Sequence, residues 1–377
     1  MDKNPVLREF IEQTDFIFLG MCAVCSAISV YSIYSIYKTM NAIGDVRIVI
    51  VQLCASLLGI VAAVMISIID YKELCEWFIV HMALCIGLMI LTAFIGYAPP
   101  GTTNKAWIEL PGGMSLQSSE LLKISTIITV AHFLDKHKDN INEVKTFIKL
   151  AIIALIPFAF VAFQRDGGTM LVYAFVIASM FFAAGISWRL IGVVAGAAAV
   201  VVPFVWFFTG EKIIGGYQRN RILAILDPDN PEFKSIMVQQ NAGKTSIGSG
   251  QLFGKGFMTD AHNNVPLPQN DFIFSFIAES VGFIGILVVI AIILGMCYRI
   301  LVIGTRSADA QGSLICVGVF AMIIFQSIIN IGMNLSVLPV IGITLPLFSA
   351  GGTSVLATYC SIGLVLSVAR HNKKNLF

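Results

Sequence analysis

Long apolar stretches recur along this sequence, and they restrict it to folds whose outer surface is covered by lipid. Eight of them are about 17 to 26 residues long, the length that an α-helix needs to cross a bilayer, and two more are shorter. Only 12% of the 377 residues are charged and 57% are hydrophobic, whereas soluble domains have roughly 25% charged residues. The composition excludes a soluble globule and indicates an integral membrane protein.

The apolar stretches predict an all-α polytopic membrane protein with about ten transmembrane helices, forming a single domain over residues 1–377. Ten spans place both termini on the same side of the membrane. Thirteen Lys and Arg residues fall on that side and five in the short loops opposite, so the positive-inside rule predicts cytoplasmic termini. The predicted helices cover residues 16–37, 48–69, 77–97, 121–134, 147–163, 170–186, 190–208, 272–297, 314–331 and 354–369.

A long polar loop, residues 209–271, separates the seventh and eighth predicted helices and is predicted to face outward. It is the only segment with enough polar residues to form a site outside the bilayer. Its glycine-rich part contains Gly243-Lys244-Thr245, which imitates the end of a phosphate-binding P-loop. That motif needs glycine at the position of Val238, so we expect flexible turns here and no nucleotide site.

Several other kinds of site find no support in the sequence. A net charge of +2 without a basic stripe gives no indication of nucleic-acid binding. The eight cysteines lie within or at the ends of apolar stretches, where they are expected to pack as small hydrophobic residues. His81 and His132 lie on apolar faces, and no neighbouring residues complete a metal site. We therefore assign no metal-ligating residue.

Polar side chains inside spanning helices are costly, and they are functional candidates for that reason. Asp271, Ser275 and Glu279 are spaced four residues apart, so they share one face of the eighth predicted helix. Asp271 lies at the outer mouth of this helix, where the long loop meets the membrane and a polar substrate can reach it. Glu279 lies deeper and is either a satisfied core carboxylate or part of the site.

Two further polar sets have both a structural and a functional interpretation. Gln326, Asn330 and Asn334 repeat the four-residue spacing at the outer end of the ninth helix, where amides either bond neighbouring helices or contact a substrate. Glu120 and Lys123 lie three residues apart at the outer start of the fourth helix. They can form an ion pair that serves the structure, the substrate or both.

The segment between the last two helices, residues 334–353, is apolar but contains two prolines and three glycines. Such a sequence breaks a helix repeatedly, and irregular backbone at membrane depth is tolerated only where it is buried in protein or lines a cavity. We predict a broken, re-entrant segment between helices 9 and 10. Together with Asp271 it predicts an outward-facing cavity with a carboxylate at its rim.

Ordered motifs along the second half of the chain are similar to those of one bacterial family. They are Tyr217-Gln218, Arg221, Leu226-Asp227-Pro228, Ile247-Gly248-Ser249-Gly250, Gly254-Lys255-Gly256, Asp271-Phe272-Ile273-Phe274, Glu279, Gly282-Phe283-Ile284-Gly285, Asn330-Ile331-Gly332-Met333, Leu338-Pro339, Gly342-Ile343-Thr344-Leu345-Pro346, Ser349 and Gly351-Gly352. Earlier elements are Gln117-Ser118-Ser119-Glu120 with Lys123, and Asp166-Gly167-Gly168-Thr169. The sequence resembles the SEDS family of shape, elongation, division and sporulation proteins, typified by RodA, FtsW and SpoVE, and looks most similar to the RodA branch.

The chain departs from the family pattern at a few positions. Ser118 and Arg165 stand where the family usually has proline, and Ala106 stands where it usually has arginine. Leu267 replaces a glutamate that frequently precedes the family's catalytic aspartate, so no role is carried over to a second acidic residue of the loop. Asp271 matches the catalytic aspartate itself.

The resemblance implies a bacterial peptidoglycan glycosyltransferase that polymerises lipid II on the outer face of the cytoplasmic membrane. Asp271 is then expected to deprotonate the acceptor sugar 4-hydroxyl as it attacks the donor anomeric carbon with inversion. Arg219, Arg221 and Lys255 are expected to hold the pyrophosphate leaving group. The other candidate substrate-binding residues are Glu120, Lys123, Asp166, Glu279, Gln326, Asn330 and Ser349.

The resemblance also implies partners. A single-pass class B penicillin-binding protein, a transpeptidase, is the expected protein partner, and membrane lipid surrounds the spans. A divalent cation, Mg²⁺ or Mn²⁺, could share the charge of the pyrophosphate, although no ligand cluster demands one. The alternative function is a transporter (flippase) of a lipid-linked cell-wall precursor, since transporters also contain broken helices and intramembrane carboxylates. A third candidate function is a scaffold that recruits the transpeptidase and catalyses no reaction itself.

Overall fold

The computed structural model describes residues 14–40, 45–98, 105–110, 114–204, 216–227 and 230–372. The predicted cytoplasmic ends, 1–13 and 373–377, lie outside the described residues, and so do the start of the long loop at 209–215 and Pro228 of the family motifs. Within the described ranges the chain is mainly helical.

Thirteen α-helices and one β-hairpin make up the described part of the chain. The helices are α1 (Phe16–Thr39), α2 (Arg47–Ile68), α3 (Tyr71–Glu76), α4 (Phe78–Ile95), α5 (Ser118–Lys136), α6 (Val144–Phe163), α7 (Gly167–Ala183), α8 (Trp188–Phe204), α9 (Gly216–Leu226), α10 (Lys234–Ser249), α11 (Ile273–Thr305), α12 (Ala310–Asn334) and α13 (Gly352–Arg370). The strands, β1 (Trp107–Leu110) and β2 (Met114–Gln117), pair antiparallel with Trp107 opposite Gln117.

Each predicted span corresponds to a helix of the structure. Seven helices in the described ranges are long and apolar enough to cross a bilayer, namely α1, α2, α4, α6, α11, α12 and α13, and α7 and most of α8 are shorter apolar helices. The chain is therefore a multi-pass membrane protein, and the count of ten spans stays a prediction. The one predicted span that remains is the fourth, which corresponds to α5. This helix is less apolar, and it is largely buried against α4, α7 and α12, so that protein surrounds its polar side chains.

The loops predicted to face outward contain more regular structure than the sequence predicted. The β1–β2 hairpin precedes α5, where an all-α protein was expected. The glycine-rich segment for which we predicted flexible turns is helical as far as Ser249, the end of α10. In α10, a Cβ on Gly243 would lie 2.7 Å from the ring of Phe272. Glycine here allows α10 to pack closely on the start of α11. The prediction of turns was wrong for residues 241–249, whereas residues 250–253 do form turns.

Residues 335–351, between α12 and α13, are non-helical, as their prolines and glycines predicted. Backbone polar groups without helix partners need other partners when they are buried. Gln240 of α10 donates to the carbonyl of Leu338 (2.8 Å), and Gln52 of α2 donates to the carbonyl of Ser349 (3.1 Å). Amide side chains from other helices thus fix the shape of this segment.

α11 is interrupted at Gly282, whose φ of 70° and ψ of −174° are not helical. Residues 251–256 of the long loop, just after α10, lie in the interruption and bond to both sides of it. The backbone bonds, 2.8 to 3.2 Å long, are Lys255 N–H to Glu279 C=O, Gly256 N–H to Ser280 C=O, Phe283 N–H to Gln251 C=O and Ile284 N–H to Leu252 C=O. The loop therefore supplies partners that the helix lacks at its break.

The break has a consequence for the position of Glu279. As one straight helix, the 33 residues of α11 would be about 50 Å long, whereas the hydrocarbon core of a bilayer is about 30 Å thick. Residues 283–305, after the break, are by themselves long enough to cross. The part before the break, which contains Glu279, is not needed for the crossing.

Replacement of Gly282 tests the break. Gly282→Ala is expected to destabilise the protein by about 1–3 kcal/mol through backbone strain, because this backbone conformation is almost restricted to glycine. The added Cβ would also lie 2.3 Å from the amide nitrogen of Gly254. Thermal unfolding of the purified protein in detergent measures the loss.

Gly192→Ala in α8 is the matched control, because nothing lies within 4 Å of an added Cβ there. Alanine favours a helix over glycine, so this variant should unfold at or above the wild-type temperature. Equal unfolding temperatures for wild type and Gly282→Ala would contradict the described break.

Candidate active site

Asp271 lies at the junction between the long loop and α11, two residues before the helix begins. It is partly exposed, so solvent can reach it. Its backbone carbonyl accepts hydrogen bonds from the amides of Asn330 and Asn334 (2.9 Å each). Its Oδ2 faces Gly342 of the non-helical segment, 3.7 Å from where a Cβ would lie on that residue. Because Gly342 has no side chain, space remains in front of the carboxylate.

The environment of Asp271 changes its acidity. Burial raises the pKa of Asp271 from 3.8 to about 6, while the positive charge of Arg221 opposes the rise and the negative charge of Asp166 adds to it. A carboxylate with this pKa is mostly ionised at pH 7 but holds a proton more firmly than an ordinary aspartate. That combination suits a general base at neutral pH.

Arg221 lies on α9 and donates from Nη1 to the carbonyl of Val340 (2.7 Å). Val340 is two residues before Gly342, so the bond holds Arg221 at the part of the segment that faces Asp271. Arg219 lies on the same helix and is partly exposed. Guanidinium groups match the geometry of phosphate oxygens. The structure therefore brings at least one predicted phosphate ligand, Arg221, close to Asp271.

Asp166 caps the start of α7. Its carboxylate accepts from the N–H (3.1 Å) and the hydroxyl (2.8 Å) of Thr169 and from the amide of Gln117 (3.0 Å). Burial raises the pKa of Asp166. Nearby, a Cβ on Gly168 would lie 2.5 Å from the carbonyl oxygen of Ile341. The start of α7 and Asp271 thus lie next to the same short stretch of the non-helical segment.

Glu120 and Lys123 form the ion pair that their spacing predicts. Nζ of Lys123 lies 2.7 Å from Oε1 of Glu120, and both residues are buried at the start of α5. The two charges act in opposite directions on the pKa of Asp166, which Glu120 raises and Lys123 lowers. The pair therefore lies close enough to Asp166 to affect its pKa, and the net charge of the pair is zero.

Glu279 and Lys255 are paired with each other. Lys255 Nζ lies 2.6 Å from Oε1 of Glu279, which is fully buried, and also donates to the carbonyl of Ala261 (2.9 Å). The Glu279 carboxylate also accepts from the hydroxyls of Ser246 and Ser249 and from the backbone and amide N–H groups of Asn263. These bonds attach the long loop to α11, and the ammonium of Lys255 takes part in one of them as the partner of Glu279.

The remaining candidates bond mainly to the protein itself. The hydroxyl of Ser349 accepts from the N–H of Leu345 (2.8 Å) inside the non-helical segment. Asn330 donates to two backbone carbonyls, those of Asp271 and Ile343. Gln326 is buried one turn deeper in α12. Contact with a substrate stays a prediction for these three residues.

Several polar residues that shape the site were not among the sequence candidates. Gln52 lies in an otherwise apolar stretch, so the criterion that selected Gln326 would have found it. Gln117 belongs to a family motif quoted above but was not selected as a site residue, and Gln240 is a buried amide in a polar stretch, where it gives no sequence signal. Among the described residues, no group of three or more His, Cys, Asp or Glu side chains could hold a metal ion. A Mg²⁺ or Mn²⁺ ion shared with substrate phosphates stays a prediction.

The raised pKa of Asp271 predicts a pH-dependent effect on stability. The pKa of Asp271 in the folded protein, about 6, lies above the ordinary value of 3.8. As the pH rises from 3.8 to above 6, ionisation of Asp271 therefore lowers the free energy of unfolding. Asp271→Asn removes that cost and should unfold at a higher temperature than wild type at pH 8. The gain should shrink below pH 6 and vanish near pH 4.

Asp260→Asn, at an exposed aspartate of the same loop, is the control and should show no such pH-dependent gain. Thermal unfolding in detergent at both pH values measures the effect. A gain for Asp271→Asn that is equally large at pH 4 would contradict the burial of an ionised carboxylate.

Known proteins are similar to this chain over most of its length. Peptidoglycan glycosyltransferase MrdB of Escherichia coli (strain K12) is 32% identical over 320 residues, which cover 84% of each chain. Stage V sporulation protein E of Bacillus subtilis (strain 168) is 29% identical over 333 residues, covering 85% of this chain and 87% of that protein. Both alignments extend over most of the chain.

Solved structures give the same result. One is from a study of a peptidoglycan synthase complex that coordinates polymerization and crosslinking, with a TM-score of 0.79, 25% identity and coverage of 96% of this chain and 99% of that one. The rod shape determining protein RodA of Thermus thermophilus has a TM-score of 0.69 at 25% identity, covering 96% and 98%. Residues 12–374 match the family model of FtsW, RodA and SpoVE, described as a cell cycle protein. The chain belongs to the FtsW/RodA/SpoVE family.

Proposed function

We propose that this peptidoglycan glycosyltransferase polymerises lipid II on the outer face of the bacterial cytoplasmic membrane. The family match and the relatives named peptidoglycan glycosyltransferase support the activity. The observation that carries the site assignment is Asp271, a partly exposed carboxylate with a pKa of about 6 that faces Gly342 with Arg221 nearby. Of the other candidates, Arg221 and Asp166 affect its pKa, and Asn330 bonds to its backbone carbonyl.

Asp271 acts as the base of an inverting transfer. It accepts the proton of the acceptor 4-hydroxyl while the hydroxyl oxygen attacks the donor anomeric carbon from the face opposite the pyrophosphate. Because pyrophosphate is a good leaving group, the reaction needs no strong general acid, unlike glycoside hydrolysis, in which two carboxyl groups divide the work. A positioned base contributes typically about 10²- to 10⁴-fold to such a step.

Positive charge is needed where the pyrophosphate accumulates negative charge. Arg221, held beside the non-helical segment, is assigned this role, with Arg219 on the same helix. Lys255 reaches the pyrophosphate only by leaving Glu279, so we assign it a secondary part. A Mg²⁺ or Mn²⁺ ion bound by the substrate phosphates would supply further positive charge, and we assign no residue of this chain as its ligand.

The remaining assignments concern the whole protein. Ten spans with both termini in the cytoplasm place the hairpin, α9, α10 and Asp271 outside. A class B penicillin-binding protein is the proposed partner, which the similarity to a chain from a peptidoglycan synthase complex supports. We assign a polar side of the predicted outward-facing cavity to Glu120, Lys123 and Asp166. Further candidates for contact with the substrate are Gln326, Asn330, Ser349 and Glu279.

Polymerisation of labelled lipid II by the purified protein with its partner tests the function. Wild type should produce glycan polymer, and Asp271→Asn should lower the rate by at least about 10²-fold because the base is lost. Polymer length on a gel and the initial rate are the measurements. Equal polymer from both proteins would remove Asp271 from catalysis. No polymer from wild type, together with lipid II flipping in liposomes, would favour the transporter.

The buried ion pair provides a second test. Glu120→Gln leaves the Lys123 ammonium, only 4% exposed, without its partner, which typically costs about 3–5 kcal/mol. The double variant Glu120→Gln, Lys123→Met should therefore recover part of the lost activity and thermal stability. Simple additivity of the two single changes would show that pairing is not the reason for their presence.

A further inference from the structure

The first turn of α11 lacks the hydrogen bond that would make Asp271 part of the helix. In a regular α-helix the N–H of Ser275 would donate to the carbonyl of Asp271, four residues earlier. Here the Ser275 N–H bonds to the carbonyl of Phe272 (3.1 Å) and to Oδ1 of Asn334 (3.2 Å). The Asp271 carbonyl accepts from Nδ2 of Asn334 (2.9 Å). The side-chain amide of Asn334 thus takes the place of one backbone bond of α11.

The orientation of this amide is fixed on both sides. The hydroxyl of Ser275 donates to the same Oδ1 (2.5 Å), and Nδ2 also donates to the carbonyl of Asn330 (2.8 Å). Ser275, Asn330 and Asn334 are all fully buried. A buried amide whose oxygen and nitrogen are both bonded is costly to turn, because turning it leaves those partners unsatisfied.

Asn330, one turn earlier in α12, joins Asp271 to the segment that faces its carboxylate. Its Nδ2 donates both to the carbonyl of Asp271 (2.9 Å) and to the carbonyl of Ile343 (2.8 Å). Ile343 directly follows Gly342, which lies in front of Oδ2 of Asp271. One amide group therefore sets the distance between the aspartate and the wall opposite its carboxylate.

We propose that Asn334 and Asn330 are positioning residues for Asp271, with Asn334 keeping it out of α11 and Asn330 holding it at a fixed distance from residues 342–343. The inference rests on the proposed function, because it concerns the carboxylate assigned as the base. Without the Asn334 amide, the Ser275 N–H can bond to the Asp271 carbonyl. The helix then begins earlier and turns the carboxylate away from Gly342.

Kinetics of lipid II polymerisation by the full-length Asn334→Ala and Asn330→Ala variants, with the partner present, test the proposal. We expect kcat to fall about 10- to 100-fold while KM for lipid II stays within about threefold, since a misplacement of about 1 Å costs about 10²-fold. The fall of the wild-type rate with acid, expected near pH 6, should move toward lower pH as Asp271 becomes more exposed. Loss of folded protein alone would lower the rate equally at every pH.

Two further variants keep the test decisive if the alanine variants fail to fold. Ser275→Ala removes the hydroxyl that bonds to Oδ1 of Asn334 (2.5 Å) and also lies 3.1 Å from the Phe272 carbonyl. It leaves both asparagines in place and should lower kcat about three- to tenfold, with a pH shift in the same direction. Ser327→Ala is the matched control, since its hydroxyl bonds to the Ile323 carbonyl within α12 (2.8 Å). It should keep the wild-type kcat and pH dependence. A wild-type kcat and pH dependence in Ser275→Ala, or in either folded asparagine variant, would overturn the proposal.

Asp271→Asn in the same assay separates this inference from the proposed function. If Asp271→Asn polymerises as fast as wild type, the assignment of the base fails, and the positioning role fails with it. If Asp271→Asn is inactive while the asparagine variants keep the wild-type kcat, only the positioning role fails.

Discussion

The satisfaction of backbone polar groups between α12 and α13 is the constraint on which the site depends. Residues 335–351 are non-helical. The N–H groups at their start bond to carbonyls at the end of α12, but other polar backbone groups of the segment need partners from elsewhere, because unpaired groups are costly inside a membrane protein. Side chains from α2, α9, α10 and α12 bond to them instead. The same bonds hold these four helices around one short segment. The side chains that satisfy its backbone polar groups therefore also bring residues together next to Asp271.

Two carboxylates eight residues apart show how surroundings determine chemical character. Glu279 is fully buried and accepts hydrogen bonds from a lysine, two serines and an asparagine. Asp271 is partly exposed, and the amides of Asn330 and Asn334 bond to its backbone carbonyl. A carboxylate whose oxygens are already bonded is a poor proton acceptor, whereas one that is half-buried beside open space is a good one. The two residues are suited to different tasks for this reason.

Local patterns predicted much of the fold, and contacts between distant parts of the chain account for the rest. Hydropathy located the helices, and the prolines and glycines near Gly342 located the non-helical segment, because both signals lie in neighbouring residues. The Glu120–Lys123 pair followed from helical spacing in the same way. The break at Gly282 was not predicted, since its partners are loop residues about thirty positions earlier. Tertiary packing likewise made α10 a helix despite its glycines.

The loop segment that closes the break in α11 also joins the two parts of that helix to each other. Residues 251–256 bond through their backbone to Glu279 and Ser280 before Gly282 and to Phe283 and Ile284 after it. The side chains of Leu252 and Phe253 protrude from this joint, 57% and 80% exposed. A molecule that packs on these two side chains therefore contacts the joint between the helical piece that begins just after Asp271 and the part of α11 that is long enough to cross the membrane.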